Sequence, residues 1–346
     1  MVRVLIVDDS AVVRRVIEQQ LSQDPEIEVV GQAPDPYVAR DMILKLKPDV
    51  LTLDLEMPRM DGLTFLKKLM QFYPLPVIIL SSLAKKGSRI ALEALRIGAV
   101  DVFCKPGSAS EIGEVSTVLA RQIKAAAAAR VGGARQAMQS PRAALQHTFS
   151  YPPNRIIAIG ASTGGTRAIE AVLRDFPANA PATLLIQHMP PNFTKPFAES
   201  LNKACAIEVK EASHGDALAP GLALLAPGDS HMVLARGGAG HRVEMTKGPR
   251  VHFQRPAVDV TFCSVAQIAG PDAVGVLLTG MGTDGAKGLL EMRRAGARTI
   301  AQDQATSVVY GMPKAAADIA AAEKILPLQD IAHATLGFSS VSRGAA

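Results

Sequence analysis

The chain lacks any apolar run approaching the roughly 18 residues of a membrane span, which excludes a helical transmembrane protein. No charged-then-apolar leader precedes the opening strand pattern Met1-Val-Arg-Val-Leu-Ile-Val-Asp8, so residence in the cytoplasm is expected. Only three cysteines occur in 346 residues, and Cys104, Cys205 and Cys263 are widely spaced. They form neither a disulfide framework nor a C-x-x-C metal motif, which fits a reducing compartment. The P-loop pattern G-x-x-x-x-G-K-S/T is absent, so a P-loop nucleotide site is not supported. Residues 152–346 carry no compact helix-turn-helix pattern and no clustered basic helix, which argues against a nucleic-acid partner. No internal repeat is evident.

The net charge of +5 is unevenly distributed. Residues 1–121 carry 15 Lys/Arg against 16 Asp/Glu, and residues 152–346 carry 18 against 16. Residues 122–151 hold four basic and no acidic side chains. The basic excess therefore sits mostly there; Ala125–Ala129 extends a predicted last helix, and Val131–Tyr151, rich in Ala, Gly, Gln, Ser, Pro and Arg without a clear apolar period, reads as a linker. Three segments follow: a domain over 1–121, a linker over 122–151 and a second domain over 152–346.

Both domains alternate short apolar runs with helical patterns, which predicts parallel sheets covered by helices on both faces. In the first domain the runs are Val2–Val7, Glu28–Gly31, Val50–Leu53, Val77–Leu80 and Val100–Cys104. In the second they include Ile156–Ile159, Thr183–Gln187, Glu208–Glu211, Ala223–Ala226, Ala273–Leu278 and Arg298–Gln302. Closely spaced strands and turns over Gly221–Thr246, with a hairpin loop at Gly237–Gly240, predict an antiparallel excursion from an otherwise parallel α/β fold.

Carboxylates cluster at the predicted strand ends of the first domain. Asp8 and Asp9 close the first strand, Asp54 the third, Ser81 and Ser82 the fourth, and Lys105-Pro106 follows the fifth. In an open parallel sheet these ends meet at one rim, where ligands bind. Converging carboxylates repel unless a cation lies between them, and few hard oxygens with room for phosphate suit Mg²⁺. Val7-Asp-Asp-Ser10, Leu53-Asp-Leu-Glu-Met-Pro-Arg-Met-Asp-Gly62 and Cys104-Lys-Pro106 resemble the receiver domain of two-component response regulators. The resemblance implies a flavodoxin-like fold in which Asp54 accepts a phosphoryl group from a histidine kinase. It further implies Mg²⁺ organised by Asp8 and Asp9, with Asp9, Asp54 and the Glu56 backbone carbonyl as ligands. Lys105 would contact the phosphoryl group and Ser81 would report it. Val102 stands where many receivers carry a switching Tyr or Phe, which puts an aromatic rotamer switch in question but not phosphorylation.

In the second domain, Ile156-Ile-Ala-Ile-Gly-Ala-Ser-Thr-Gly-Gly165 runs a buried strand into a glycine turn with Ser162 at its tip. Gly160-Ala-Ser-Thr-Gly164 fits the G-x-S-x-G elbow, which suits a nucleophile beside backbone N–H groups. The competing reading is a phosphate-cradling or merely packed turn. A nucleophile needs a base, and the base an orienter. His188 follows an apolar run, as Ser162 does, whereas His231 lies in the turn after Ala226-Pro-Gly-Asp-Ser230 and His333 in a helical pattern. Asp284 sits in Gly280-Met-Gly-Thr-Asp-Gly285, a loop whose glycines exceed the needs of packing. That loop offers the Met281 N–H to an oxyanion. The order Ser…His…Asp differs from the Ser…Asp/Glu…His of α/β-hydrolases.

Ile159-Gly-Ala-Ser-Thr-Gly-Gly165, Gln187-His-Met-Pro-Pro191, Pro227-Gly-Asp-Ser-His-Met232 and Leu278-Thr-Gly-Met-Gly-Thr-Asp-Gly-Ala286 resemble the chemotaxis protein-glutamate methylesterases. The resemblance implies a Rossmann-like catalytic domain and a soluble hydrolase without membrane insertion. Its reaction would be hydrolysis of glutamate γ-methyl esters on methylated chemoreceptors, releasing methanol, together with deamidation of receptor glutamines. Ser162 would attack, His188 would carry the proton and Asp284 would orient His188, with Thr163 and Met281 lining the oxyanion pocket. No cofactor would be needed for the ester chemistry, and a chemosensory histidine kinase would supply the phosphoryl group. Two other readings are a response regulator with a partner- or DNA-binding second half, and a docking scaffold on the same fold. The size of that half and its intact Ser162, His188 and Asp284 weigh against both.

Overall fold

The computed structural model describes residues 1–57, 60–81, 85–105, 112–129, 150–238 and 240–340. Ser82, Pro106, Ala239 of the expected hairpin loop and residues 130–149 of the expected linker lie outside them. The chain divides into two compact units, Met1–Gly133 and Ala134–Ala346.

The first unit holds five parallel strands, β1 (Val2–Val7), β2 (Ile27–Ala33), β3 (Val50–Asp54), β4 (Val77–Ser81) and β5 (Asp101–Cys104), in the order β2-β1-β3-β4-β5. Each strand is followed by a helix, and β3 and β4 are buried at every residue, as strands covered on both faces must be. The helix starts are written locally. Ser10 accepts from the Val13 N–H, Asp35 from Tyr37 and Val38, and Asp61 from Thr64. The last helix runs Ile112–Ala127, so residues 122–127 of the expected linker range are helical, as the alanine run beginning at Ala125 favours.

The second unit is built on seven parallel strands in the order β14-β13-β12-β6-β7-β9-β8. These are β6 (Ile156–Ala161), β7 (Ala182–Gln187), β8 (Glu208–Glu211), β9 (Leu222–Leu225), β12 (Ala273–Leu277), β13 (Arg298–Gln302) and β14 (Lys324–Leu326). A separate antiparallel ribbon joins β10 (His231–Gly237) to β11 (Gly240–Thr246), pairing Gly237 with Gly240. The antiparallel excursion is thus narrower than the spacing of turns suggests. β9 belongs to the main sheet, parallel to β7 and β8, because Ala223, Leu224 and Leu225 are apolar enough to be buried there. β14 was not anticipated: it is a three-residue edge strand whose Lys324 and Ile325 are exposed, so it carries little apolar signal. Among the described residues, no helix is long and apolar enough to cross a membrane.

The first strand of this sheet, β6, lies between β12 and β7, so the chain leaves it in one direction and later returns on the other side. That topological switch point opens a crevice at the carboxyl ends of the strands. All six β6 residues are buried.

One glycine in the first unit has no room for a side chain. A Cβ on Gly62 would meet the Asp54 carbonyl oxygen and approach the Leu55 Cα to 2.7 Å, both backbone atoms that no rotamer change can move. Gly62→Ala is therefore expected to destabilise the first unit by about 1–3 kcal/mol in urea unfolding. An unchanged midpoint would show that the Asp54–Leu55 backbone yields freely.

Candidate active site

Two constellations stand at strand ends, one in each unit. In the first, Asp8 and Asp54 are buried at the ends of β1 and β3, and Lys105 follows β5. The Lys105 ammonium lies 2.8 Å from Asp8 Oδ2 and 2.9 Å from Asp54 Oδ2. The Lys105 N–H also donates to the carbonyl of Ser81, a buried residue at the end of β4, which ties β5 to β4 at the rim. Burial pushes the Asp54 carboxyl above its ordinary range, with the Asp8 charge adding to it, while Lys105 and the Glu56 N–H oppose the shift. Burial also works against the charge on Lys105, but Asp8 and Asp54 outweigh it and hold the ammonium more firmly protonated than usual.

Asp8, Asp9 and Asp54 each bring a carboxylate oxygen within 4.8 Å of the others. Three carboxylates at one rim, two of them sharing a single ammonium, suit a small, hard divalent cation, so these residues fit Mg²⁺. Two residues after Asp54, the Glu56 N–H donates to Asp54 Oδ1 at 3.2 Å. Val102 and Phe103 are both buried in β5.

In the second unit, Ala161 and Gln187 are register partners on β6 and β7, so Ser162 and His188 leave the sheet side by side. The ladder continues one step further on either side of Ser162. Its N–H donates to the Thr279 carbonyl at 3.0 Å, and the His188 N–H to the Ala161 carbonyl at 3.1 Å. The Gly165 N–H closes back onto the Ser162 carbonyl at 2.7 Å. Gly164, with φ of 77°, makes this tight turn at the start of the helix Gly165–Arg174. The loop after β12 can pass directly over Ser162 because Gly280 has no side chain: a Cβ there would lie 2.7 Å from the Ser162 Cβ.

His188 and Asp284, 96 residues apart in the chain, meet through a 2.7 Å contact between Nε2 and Oδ2, and both are almost fully buried. Asp284 is gripped from its other side by the helix Val258–Ile268. The Val258 N–H donates to Oδ2 at 2.7 Å and the Asp259 N–H to Oδ1 at 2.9 Å. These are free donors at the first turn of a helix, where negative charge is favoured. Burial alone would raise the Asp284 carboxyl, but His188 and the two amides prevail and hold it below the ordinary carboxylate value. An ionised carboxylate only accepts, so His188 Nε2 carries the hydrogen and Nδ1 keeps the lone pair. The arrangement can accept a proton from a hydroxyl and stabilise the resulting imidazolium.

The remaining predicted residues separate clearly. Thr163 is buried, and its carbonyl accepts the Thr279 hydroxyl at 3.0 Å. Met281 is half-buried, and among the described residues its N–H has no acceptor, which leaves it open to a ligand oxygen. His231 is structural: Nδ1 accepts the Ala257 N–H, and Nε2 lies 2.9 Å from the Pro249 carbonyl. His333 lies exposed on the helix Leu328–Ser339.

Three contributors carry no motif signal. The Val258 and Asp259 amides act through the backbone, which leaves no side-chain signature. The buried Gln187 amide donates to both the Ser162 carbonyl (2.9 Å) and the His188 carbonyl (3.1 Å), holding the two turns together. Gln187 stood beside His188 in a quoted motif, yet its double bond requires knowing that β6 and β7 are neighbours.

A family model described as CheB methylesterase matches residues 157–335, and one described as response regulator receiver domain matches residues 4–116. A protein-glutamate methylesterase/protein-glutamine glutaminase 2 from Syntrophus aciditrophicus is 56% identical over 333 residues, spanning 96% of this chain and 97% of that protein. A protein-glutamate methylesterase/protein-glutamine glutaminase from Pectobacterium atrosepticum is 50% identical over 347 residues, 100% of this chain and 98% of that one. The crystal structure of the Thermotoga maritima CheB methylesterase catalytic domain matches with a TM-score of 0.53 and 36% identity, covering 54% of this chain and 99% of that one.

Asp284→Asn is expected to destabilise the second unit by about 1–3 kcal/mol at neutral pH, because a buried charged acceptor is lost beneath three N–H donors. A carboxylate held low in the folded state contributes stability that is complete above its unfolded value, ordinarily 3.8, and lost as pH falls through the folded one. The stability gap between the wild type and this variant, read by urea unfolding, should therefore be flat from pH 7 to about 5 and close below pH 4. A gap that widens in acid would contradict the ionised state assigned to Asp284.

Proposed function

The chain belongs to the CheB methylesterase family, and from that premise we propose that it is a phosphorylation-regulated hydrolase of glutamate γ-methyl esters on methylated chemoreceptors. The single observation that best supports this reading is the buried His188–Asp284 pair, held at the strand end beside Ser162.

In the proposed reaction, the Ser162 hydroxyl attacks the ester carbonyl while His188 Nδ1 takes its proton. Asp284 steadies the imidazolium through Nε2–H. The tetrahedral oxyanion is met by the unoccupied Met281 N–H, and the N-terminus of the helix Gly165–Arg174 adds its partial positive charge. Collapse breaks the bond to the methoxy oxygen, which leaves as methanol with the proton from His188. Water, deprotonated by His188, then attacks the Ser162-bound acyl group and releases the glutamate carboxylate, restoring the serine. A glutamine side chain follows the same course with ammonia as the leaving group, which accounts for a second, deamidating activity.

The first unit is read as the control element. Asp54 accepts a phosphoryl group from a chemosensory histidine kinase, Lys105 pairs with its oxygens, and Ser81 reports its presence from the end of β4. Asp8, Asp9, Asp54 and the Glu56 carbonyl would hold Mg²⁺, which when bound neutralises phosphoryl charge. The unphosphorylated receiver restrains the esterase, and phosphorylation relieves that restraint.

Methanol release from membranes bearing methylated chemoreceptor tests this reading. Ser162→Ala is expected to lower the rate by about 1,000-fold or more. Activity at the wild-type level would refute the assignment of the nucleophile. Asp54→Asn should keep the basal rate and lose all stimulation by a small phosphodonor, and chelation of Mg²⁺ should have the same effect on the wild type. Stimulation that survives either change would place control elsewhere. A chain lacking residues 1–150 should exceed the unphosphorylated full-length rate, and equal or lower activity would remove restraint by the receiver.

A further inference from the structure

Thr279, two residues beyond β12, is almost fully buried. Its N–H donates to Gln302 Oε1 at 2.8 Å, and its carbonyl accepts the Ser162 N–H at 3.0 Å. The hydroxyl donates to the Thr163 carbonyl at 3.0 Å and accepts the Val309 N–H at 3.0 Å. A second acceptor in reach, the Val309 carbonyl at 3.2 Å, already takes the Gly280 N–H at 3.1 Å. Valine has the same shape and no hydroxyl to satisfy, so burial alone does not call for threonine here.

Two stretches of chain meet at that hydroxyl. One is the turn that carries Ser162, reached through Thr163. The other is the loop after β13, residues 303–311, which lies against Gly280 and Met281. The Gly280 carbonyl accepts the Gly311 and Met312 N–H groups at 3.1 and 2.8 Å. A Cβ on Gly311 would lie 2.7 Å from that carbonyl oxygen and 3.2 Å from the Met281 Cα, so the two loops run in contact. The loop after β13 also reaches the Ser162 turn, since a Cβ on Gly164 would lie 2.6 Å from the Val308 Cβ.

That loop is itself braced. Gln302, fully buried at the end of β13, donates Nε2 to the Thr306 carbonyl at 2.8 Å. The Thr306 hydroxyl and N–H both donate to Asp303 Oδ1, at 2.6 and 2.9 Å, and the hydroxyl accepts the Leu328 N–H at 2.9 Å. Gln302 thus grips the Thr279 backbone with one end of its amide and the braced loop with the other. A buried polar network satisfied in this way holds one arrangement in preference to others.

We infer that Thr279 is a positioning residue for the ester hydrolysis: its hydroxyl ties the Ser162 turn to the loop that bears the Met281 N–H. The inference rests on the reading of Ser162 as the nucleophile and of Met281 as an oxyanion donor. Those two groups come from different strand ends, β6 and β12, and the tetrahedral intermediate must bridge them. An oxyanion donor acts only within about 2.7–3.1 Å of the forming charge, so a small drift between the turns is costly. Thr279 touches neither the substrate nor the reacting atoms. It acts by fixing their separation, which matters more in the transition state than in substrate binding.

Three variants of the full-length chain test this on methylated chemoreceptor membranes. Thr279→Val keeps the shape and removes the hydroxyl; its kcat should fall about tenfold to a hundredfold with KM unchanged. Thr279→Ala, which also lacks the hydroxyl, replaces it if the valine variant does not fold. Thr279→Ser restores the hydroxyl and should recover kcat to within about threefold of the wild type. Thr299→Val removes a buried hydroxyl that accepts the Glu323 N–H at 3.0 Å, in the amino-terminal half of β13 and away from the carboxyl-end rim. It should lower the thermal midpoint by a few degrees, as Thr279→Val does, and leave kcat alone. An unchanged kcat in Thr279→Val would overturn the inference, as would Thr279→Ser as slow as Thr279→Val, or an equal loss in Thr299→Val. A loss carried by KM instead would assign the hydroxyl to substrate binding and overturn it too. Amide hydrogen exchange supplies a readout independent of the reaction. In Thr279→Val, exchange at Ser162, Gly165 and Gly280 should quicken about tenfold or more, with β1–β5 unchanged. If the wild type released no methanol, the proposed function would fall, and exchange alone would decide whether the hydroxyl holds the two turns together. Unchanged exchange would show that it does not.

Discussion

Much of the second unit is organised around the charge on one buried side chain, Asp284. Its two oxygens take three N–H groups, from His188, Val258 and Asp259. A carboxylate this deeply buried would be expensive without such partners. Meeting that need brings the loop after β12, the strand end of β7 and the start of the helix Val258–Ile268 to one point. The same contacts fix the imidazole tautomer, with the hydrogen on Nε2 and the lone pair on Nδ1. Asp259 extends the arrangement outward: its carboxylate takes the Gly288 N–H at 2.6 Å and the His252 ring, which links the Asp284 cluster to a surface turn.

The first unit solves a related problem with the opposite balance. Asp8 and Asp54 are buried together, and one ammonium, Lys105, offsets both. Two carboxylates sharing one cation leave residual negative charge, and Asp9 adds to it at the rim. Such a cluster suits a further cation. The second unit meets its buried carboxylate with three protein N–H donors, whereas the first leaves the charge of its own partly unmet.

Much of this was legible in the chain. Buried β-runs bounded by turns placed nearly every strand, because residues covered on both faces must be apolar throughout. Asp8, Asp54 and Lys105, like Ser162 and His188, could be read as strand-end residues, and a parallel sheet delivers such residues to one rim. The departures also have physical reasons. β9 was taken for part of an antiparallel excursion because closely spaced turns look alike whichever sheet the strand joins. β14 was invisible because an exposed three-residue edge strand carries almost no hydrophobic signal.

The sequence by itself determined the alternation of strands and helices, the chemical identity of the strand-end side chains, and the glycines that let Ser162 and the 280–285 loop approach each other. Local propensity and side-chain chemistry are properties of neighbouring residues, so they can be read along the chain. Only the tertiary structure decided that His188 rather than His333 faces Asp284, that helix amides hold that carboxylate, and that His231 is a brace. These outcomes depend on the strand order β12-β6-β7 and on backbone donors, which bring together groups far apart in the chain and carry no side-chain signature.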